Sequence, residues 1–137
     1  MTATILCIDD EAALREDIAE ELVDEGYQVL HACDGHEGLK QILQHHPDLV
    51  ICDITMPRKN GYALLKEVRS DHGISAEMPF IFLSALADKE HVVAGLRLGA
   101  DNYITKPVDL EQFMRVVKAI ESFWLELVKL PGEATND

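Results

Sequence analysis

Asp53 stands directly after Leu49-Val50-Ile51-Cys52, an unbroken apolar run, and just before Ile54-Thr55-Met56-Pro57. A carboxylate fixed at the tip of a buried strand can serve as a ligand, a nucleophile or a structural cap. The same ending recurs along the chain. Thr4-Ile5-Leu6-Cys7-Ile8 runs into Asp9-Asp10-Glu11, Pro79-Phe80-Ile81-Phe82-Leu83 into Ser84, and Asn102-Tyr103-Ile104-Thr105 into Lys106-Pro107. Three carboxylates in one crevice repel one another, which raises their pKa values unless a cation is present. Mg²⁺ suits such a site, because it takes few carboxylates, keeps several waters and accepts phosphate oxygens. The Ser84 hydroxyl and the Lys106 ammonium add a donor and a positive charge for phosphoryl oxygens.

These residues meet only if the elements between them bring the strand ends side by side. Unbroken apolar runs bounded by turn signals read as strands buried on both faces, the mark of a parallel sheet. Between them lie helical patterns. Leu14, Ile18 and Leu22 recur at spacing four, and Gly26 is a C-cap signal. Tyr27–Cys33 reads as a second strand with a turn at Asp34-Gly35, followed by a helix carrying Leu39, Ile42 and Leu43. Arg58-Lys59-Asn60-Gly61 reads as a loop, Leu64, Leu65 and Val68 mark a third helix, and Asp71-His72-Gly73 breaks it. Asp88 can cap a fourth helix carrying Val92, Val93 and Leu96, with Gly99 past its end. A last helix begins near Asp109 and carries Phe113, Val116, Val117, Ile120, Trp124 and Leu127. Strand and helix alternate five times, which predicts an α/β fold, a doubly wound parallel sheet with helices on both faces. Ligands of such sheets bind beyond the carboxyl ends of the strands.

Composition narrows the function. At 137 residues the chain is one domain in size, and 47% hydrophobic with 27% charged residues is ordinary for a soluble globular protein. A net charge of −13 argues against a nucleic-acid surface, which needs clustered Lys and Arg. No window is apolar for the length of a membrane span. Cys7, Cys33 and Cys52 are odd in number, sit inside apolar runs and match no metal spacing, so they read as buried small hydrophobes in a reducing, cytoplasmic setting. The six histidines (His31, His36, His45, His46, His72 and His91) show no ligand spacing.

The acidic pair Asp9-Asp10, Asp53 in its D-x-x-M-P context, Ser84 followed by Ala85, and Lys106-Pro107 together resemble the receiver domain of two-component response regulators. The resemblance runs from about Thr4 to the middle of the last helix. It implies a flavodoxin-like five-stranded sheet in the order 2-1-3-4-5 with five helices. It implies that Asp53 accepts a phosphoryl group from a histidine kinase or phosphotransfer protein, with Mg²⁺ as cofactor. Asp10 is then the direct metal ligand beside Asp53, Asp9 holds metal-bound water and Thr55 offers its backbone carbonyl. Ser84 bonds the phosphoryl oxygen, Lys106 pairs with it and Tyr103 is the switch aromatic. The family often has a cis bond at the position of Lys106-Pro107, and often threonine where this chain has Ser84. The implied role is a signalling switch that alters binding to a downstream protein through the fourth helix, fifth strand and fifth helix. It is not an enzyme beyond promoting its own phosphorylation and dephosphorylation.

Plainer readings compete. Asp53 alone can be a cap, Asp9-Asp10-Glu11 an acidic first turn favoured by the helix dipole, Ser84 an N-cap and Tyr103 a half-buried strand aromatic. A phosphohydrolase of the haloacid dehalogenase type also uses a strand-end aspartate, but it wants a second Asp where this chain has Thr55. A flavodoxin-like nucleotide module wants a phosphate-cradling loop after the first strand, where Asp9-Asp10-Glu11 would repel one. The expected organisation is a receiver over residues 1–122, an apolar helical extension over 123–130 and a flexible tail over 131–137. Nothing in the chain resembles an output module, which favours a receiver acting alone. The extension, with its Leu125 off the core stripe, reads equally as a surface for a homodimer or as a segment folded back on its own domain.

Overall fold

The computed structural model describes residues 3–70 and 74–123. The chain divides into two compact units between Pro107 and Val108. The first holds five strands, β1 (Thr4–Ile8), β2 (Gln28–Ala32), β3 (Leu49–Cys52), β4 (Phe80–Ser84) and β5 (Asn102–Thr105). All pair in parallel, in the order β2-β1-β3-β4-β5. Four helices connect them: α1 (Ala12–Asp24), α2 (Gly35–His45), α3 (Gly61–Ser70) and α4 (Lys89–Arg97). A 3-10 turn at Ile74–Glu77 also precedes β4, an element the residue pattern does not announce.

The central strand shows why the apolar run is unbroken. Val50 and Cys52 join Leu6, Ile8, Phe80 and Phe82 in a core that Ile42 of α2 and Leu64, Leu65 and Val68 of α3 complete. Leu49 and Ile51 point to the other face by strand alternation, and they too are buried. On that side α1 lies over β1 and β2, with Ile18 and Leu22 buried. Each such side chain contributes about 1.5–3 kcal/mol on leaving water.

The caps follow the chain's punctuation. Gly26 takes φ 98° after α1, and the Tyr27 and Gly26 amides close the helix end on the carbonyls of Leu22 and Val23. Asp34 and Asp88 accept from the amides of Glu37 and His91 at the starts of α2 and α4. Three expectations change. Leu43 and Leu96 are exposed (54% and 45%), because their helices turn those positions outward from the sheet. Cys33 lies just beyond β2 and is only half-buried, whereas Cys7 and Cys52 are buried. Burial pushes the Cys7 thiol up to about 12, and burial followed by the charges of Asp53 and Asp9 raises Cys52 well above its ordinary value. In the native protein a thiol reagent should therefore label one cysteine per chain rapidly, at Cys33. Rapid labelling of two or three would show that the sheet opens readily.

The second unit contains α5 (Leu110–Phe123). Asp109 starts it, its carbonyl accepting from the Phe113 amide and its Oδ1 from the Gln112 amide. Phe113, Met114 and Val117 are buried at helical spacing. Phe123, the first residue of the expected extension, ends α5 and is exposed, while residues 124–137, Trp124 and Leu127 among them, lie outside the described residues, as do Asp71-His72-Gly73. Among the described residues no helix is long and apolar enough to cross a membrane.

Candidate functional site

Strand pairing assembles the site. β1 and β3 are neighbours, as are β3 and β4, and β4 and β5, so their carboxyl ends form one rim. The ladder also continues one step past each strand. The amide of Asp9 donates to Ala32 O (3.1 Å), that of Asp53 to Ile8 O (2.9 Å) and that of Lys106 to Ser84 O (2.8 Å). The chemistry-bearing residues are thus held by backbone bonds before any side chain contributes. The Lys106-Pro107 bond is cis.

On that rim Asp9, Asp10 and Asp53 bring one carboxylate oxygen each within 4.8 Å of one another. Asp9 and Asp53 are buried, and Asp10 is exposed. The Lys106 ammonium sits among them, 3.1 Å from Asp9 Oδ2 and 3.4 Å from both Asp53 Oδ2 and Glu11 Oε1. Asp53 Oδ1 accepts from the Ile54 amide at 2.7 Å. Asp9 Oδ1 accepts from the Glu11 amide at 2.9 Å. Asp9 Oδ2 is buried beside the ammonium but has no hydrogen bond of good geometry. A buried carboxylate oxygen without a donor is costly unless a cation completes its surroundings. Three hard oxygens around that point fit Mg²⁺.

The electrostatics agree. Burial raises the Asp53 pKa and the charge of Asp9 adds to it, while Lys106 and the Ile54 amide act in the opposite direction. Burial lowers the Lys106 pKa, but Asp9, Asp53 and Glu11 outweigh it and the net shift is upward. Asp53 and Asp9 thus share the Lys106 ammonium as their counter-ion.

Ser84 is the last residue of β4 and is wholly buried. Its Oγ accepts from the Leu86 amide at 3.1 Å, so the hydroxyl also turns the chain toward α4. The register places Cys52 opposite Phe82, which sets Asp53 level with Leu83 and Ser84 one residue beyond. Thr55 lies on the loop after Asp53 with its side chain exposed. Tyr103 is half-buried and tilted against Phe82 (ring centroids 6.0 Å apart), and its hydroxyl donates to Leu86 O.

Reasoning from the chain missed three participants. Glu11 was read as an acid for the helix dipole. It instead occupies the N-cap position of α1 without a side-chain cap bond, and its carboxylate faces Lys106. Arg15 donates to the Asp9 carbonyl from the first turns of α1. Tyr62 of α3 donates to His91 O at 2.8 Å and packs edge-on against Phe82. Gly95 of α4 fits over this aromatic group, where a Cβ would lie 3.0 Å from Phe82 and 3.1 Å from Tyr103. Only Asp9-Asp10-Glu11 carried a sequence signal for any of them.

Residues 5–118 match the family model described as "Response regulator receiver domain". The "Transcriptional regulatory protein DltR" of Streptococcus agalactiae serotype III is 40% identical over 114 residues, which is 83% of this chain and 50% of that protein. The chain spans about half the length of the curated relatives it matches. Among solved structures, a response regulator receiver domain protein from Methanospirillum hungatei superposes with a TM-score of 0.81 at 31% identity, covering 88% of this chain and 94% of that one. The signal receiver domain of a signal transduction histidine kinase from Syntrophus aciditrophicus gives 0.81 at 33% identity, covering 88% and 91%.

Proposed function

Because the chain belongs to the response regulator receiver domain family, we propose that it is a phosphorylation switch whose acceptor is Asp53. A carboxylate oxygen of Asp53 attacks the phosphorus of a phosphohistidine on a kinase or phosphotransfer protein. The N–P bond breaks, the imidazole leaves, and an aspartyl phosphate forms. The observation that carries this reading is the meeting of Asp9, Asp10, Asp53 and Lys106 on one rim. A cap requires none of the other three.

Asp9, Asp10 and Asp53, with the backbone carbonyl of Thr55, are the residues that hold Mg²⁺ in this proposal. The ion supplies charge neutralisation to the transferring oxygens. Lys106 shields Asp53 from Asp9 in the resting state and follows the phosphoryl oxygen afterwards. Ser84, buried one residue beyond, offers its hydroxyl to another of those oxygens. Phosphorylation adds roughly one and a half to two negative charges. The Leu86 carbonyl links that event to the surface, because Tyr103 bonds it and Ser84 bonds the adjoining amide. Movement there shifts α4 and β5, and with them the binding of a cytoplasmic protein target. A charge of −13 opposes contact between this stretch and the phosphates of DNA.

A small phosphodonor with Mg²⁺ should add the mass of one phosphoryl group to the intact protein, and a chelator should abolish the addition. Undiminished labelling in the chelator would remove the metal from the mechanism. No labelling under any condition would remove the switch.

A further inference from the structure

The loop from Asp53 to Gly61 carries both the phosphoacceptor and Thr55, and it is pinned at two places. At its base the Gly61 amide donates to Ile54 O at 2.9 Å. A Cβ on Gly61 would lie 2.3 Å from Asp53 O, so only glycine permits this closure. At its far end the Lys59 amide donates to Pro57 O (2.8 Å), a three-residue turn centred on Arg58 at φ 67°. Turns of this hand are rare and strained for a residue with a side chain. Something outside the loop must hold it there.

That support comes from the start of α2. The Arg58 guanidinium lies 2.6 Å from Asp34 Oδ2, and the Gly35 amide donates to Lys59 O at 3.1 Å. A Cβ on Gly35 would lie 2.3 Å from that same carbonyl oxygen, so the contact is as close as a backbone allows. Asp34 works in two directions. Its Oδ1 accepts from the Glu37 amide and caps α2, while its Oδ2 faces Arg58. Exposed ion pairs contribute little, but here one partner is 2% exposed and the other 70%. The Glu37 amide, then Arg58, hold the Asp34 carboxyl below its ordinary pKa against the opposing effect of burial.

We propose that Asp34 and Arg58 are positioning residues for the phosphoacceptor loop, clamping it to α2 so that its carbonyls are ordered before the cation arrives. The inference rests on the receiver reading and extends it to residues away from the rim. A loop already in place does not lose its freedom at the moment of binding, and that difference appears as metal affinity. Ordinary helix capping by Asp34 would need no Arg58 and no strained turn.

Arg58→Gly separates these possibilities, because it deletes the ion pair while relieving the left-handed φ. In the full chain, thermal stability should hold or rise, while the Mg²⁺ dissociation constant should increase about tenfold, the low end for partners that orient metal ligands. In the metal-free protein the Gly35 amide should lose hydrogen-exchange protection. Arg58→Lys should recover most of the affinity. Asp34→Asn, which keeps an oxygen for the Glu37 amide, should weaken Mg²⁺ binding without unfolding α2. Wild-type affinity and wild-type protection in Arg58→Gly would overturn the clamp while leaving the receiver reading intact. A wild-type chain that takes up no Mg²⁺ at millimolar concentration would overturn the receiver reading, and the clamp's role with it.

Discussion

Asp53→Asn should accept no phosphoryl group and should also be the more stable protein. The loss of labelling follows from chemistry, since an amide cannot attack phosphorus as a carboxylate does. The gain in stability follows from the site's electrostatics. Burial and the neighbouring Asp9 raise the Asp53 pKa from its ordinary 3.8, so the folded chain holds that proton more tightly than the unfolded chain. Ionised Asp53 therefore costs stability at every pH above its raised folded pKa. The cost fades as pH falls through that value toward 3.8. Asparagine removes the cost, and Lys106 keeps Asp9 as a partner at 3.1 Å. The variant should gain on the order of 1 kcal/mol at neutral pH, the size that stabilising substitutions commonly reach. Its advantage over wild type should shrink on acidification through that window. Denaturant midpoints measured across that pH range, with intact-mass labelling in parallel, give both readouts. Equal labelling of the two proteins would move the acceptor elsewhere, and a destabilised variant would show that Lys106 depends on Asp53 more than on Asp9.

The largest loss of stability should come from a residue far from that rim. Arg69, at the end of α3, donates to Gly99 O through Nε (3.2 Å) and Nη2 (2.8 Å), and to Ala76 O (3.2 Å) and Met78 O (2.6 Å) through Nη1. Its Nη2 also reaches Asp101 Oδ2 at 3.3 Å, the oxygen that accepts from the Phe80 amide at 2.8 Å. One guanidinium thus ties α3, the approach to β4 and the α4–β5 turn together. Arg69→Met keeps the apolar stem and removes every donor. Hydrogen bonds to charged groups contribute about 1.5–3 kcal/mol each, but several carbonyls here can turn to water, so the expected loss is about 3 kcal/mol in total. For a chain of this size that is a fall in thermal midpoint of roughly 10 °C. Phosphoryl labelling of the variant below its midpoint should match wild type, because the contacts lie at the amino-terminal edge of the sheet. A shift of only a degree or two would mean that water replaces the guanidinium without loss.

What could be read from the chain, and what could not, divides by distance along it. Leu49-Val50-Ile51-Cys52 announced a strand buried on both faces because burial leaves no polar alternation. The residues after each strand announced the rim because a parallel sheet aligns its carboxyl ends. Contacts between remote side chains left no such trace. Glu11 meets Lys106 across 95 positions, and Arg69 meets Gly99 across 30. Asp34-Gly35 was legible as a turn but not as the bracket for Arg58, since a turn signal does not say what docks on it. The exposure of Leu43 and Leu96 was hidden for a related reason. Helical spacing shows that an apolar stripe exists, while its width depends on how the helix seats.

The amides of Asp9, Asp53 and Lys106 remain inside the ladder of the sheet, one step beyond the strands that carry them. These three residues are held by the same kind of backbone bond as the sheet, so they lose their places in the same cooperative event as the strands. Proteases and chaperones in a cell sort chains by whether they are unfolded. A molecule folded well enough to survive that sorting already carries Asp53, Asp9 and Lys106 in place. Under the proposed function, the amount of this protein present and the amount able to receive a signal are then the same quantity, and only the supply of phosphoryl groups separates listening from reporting.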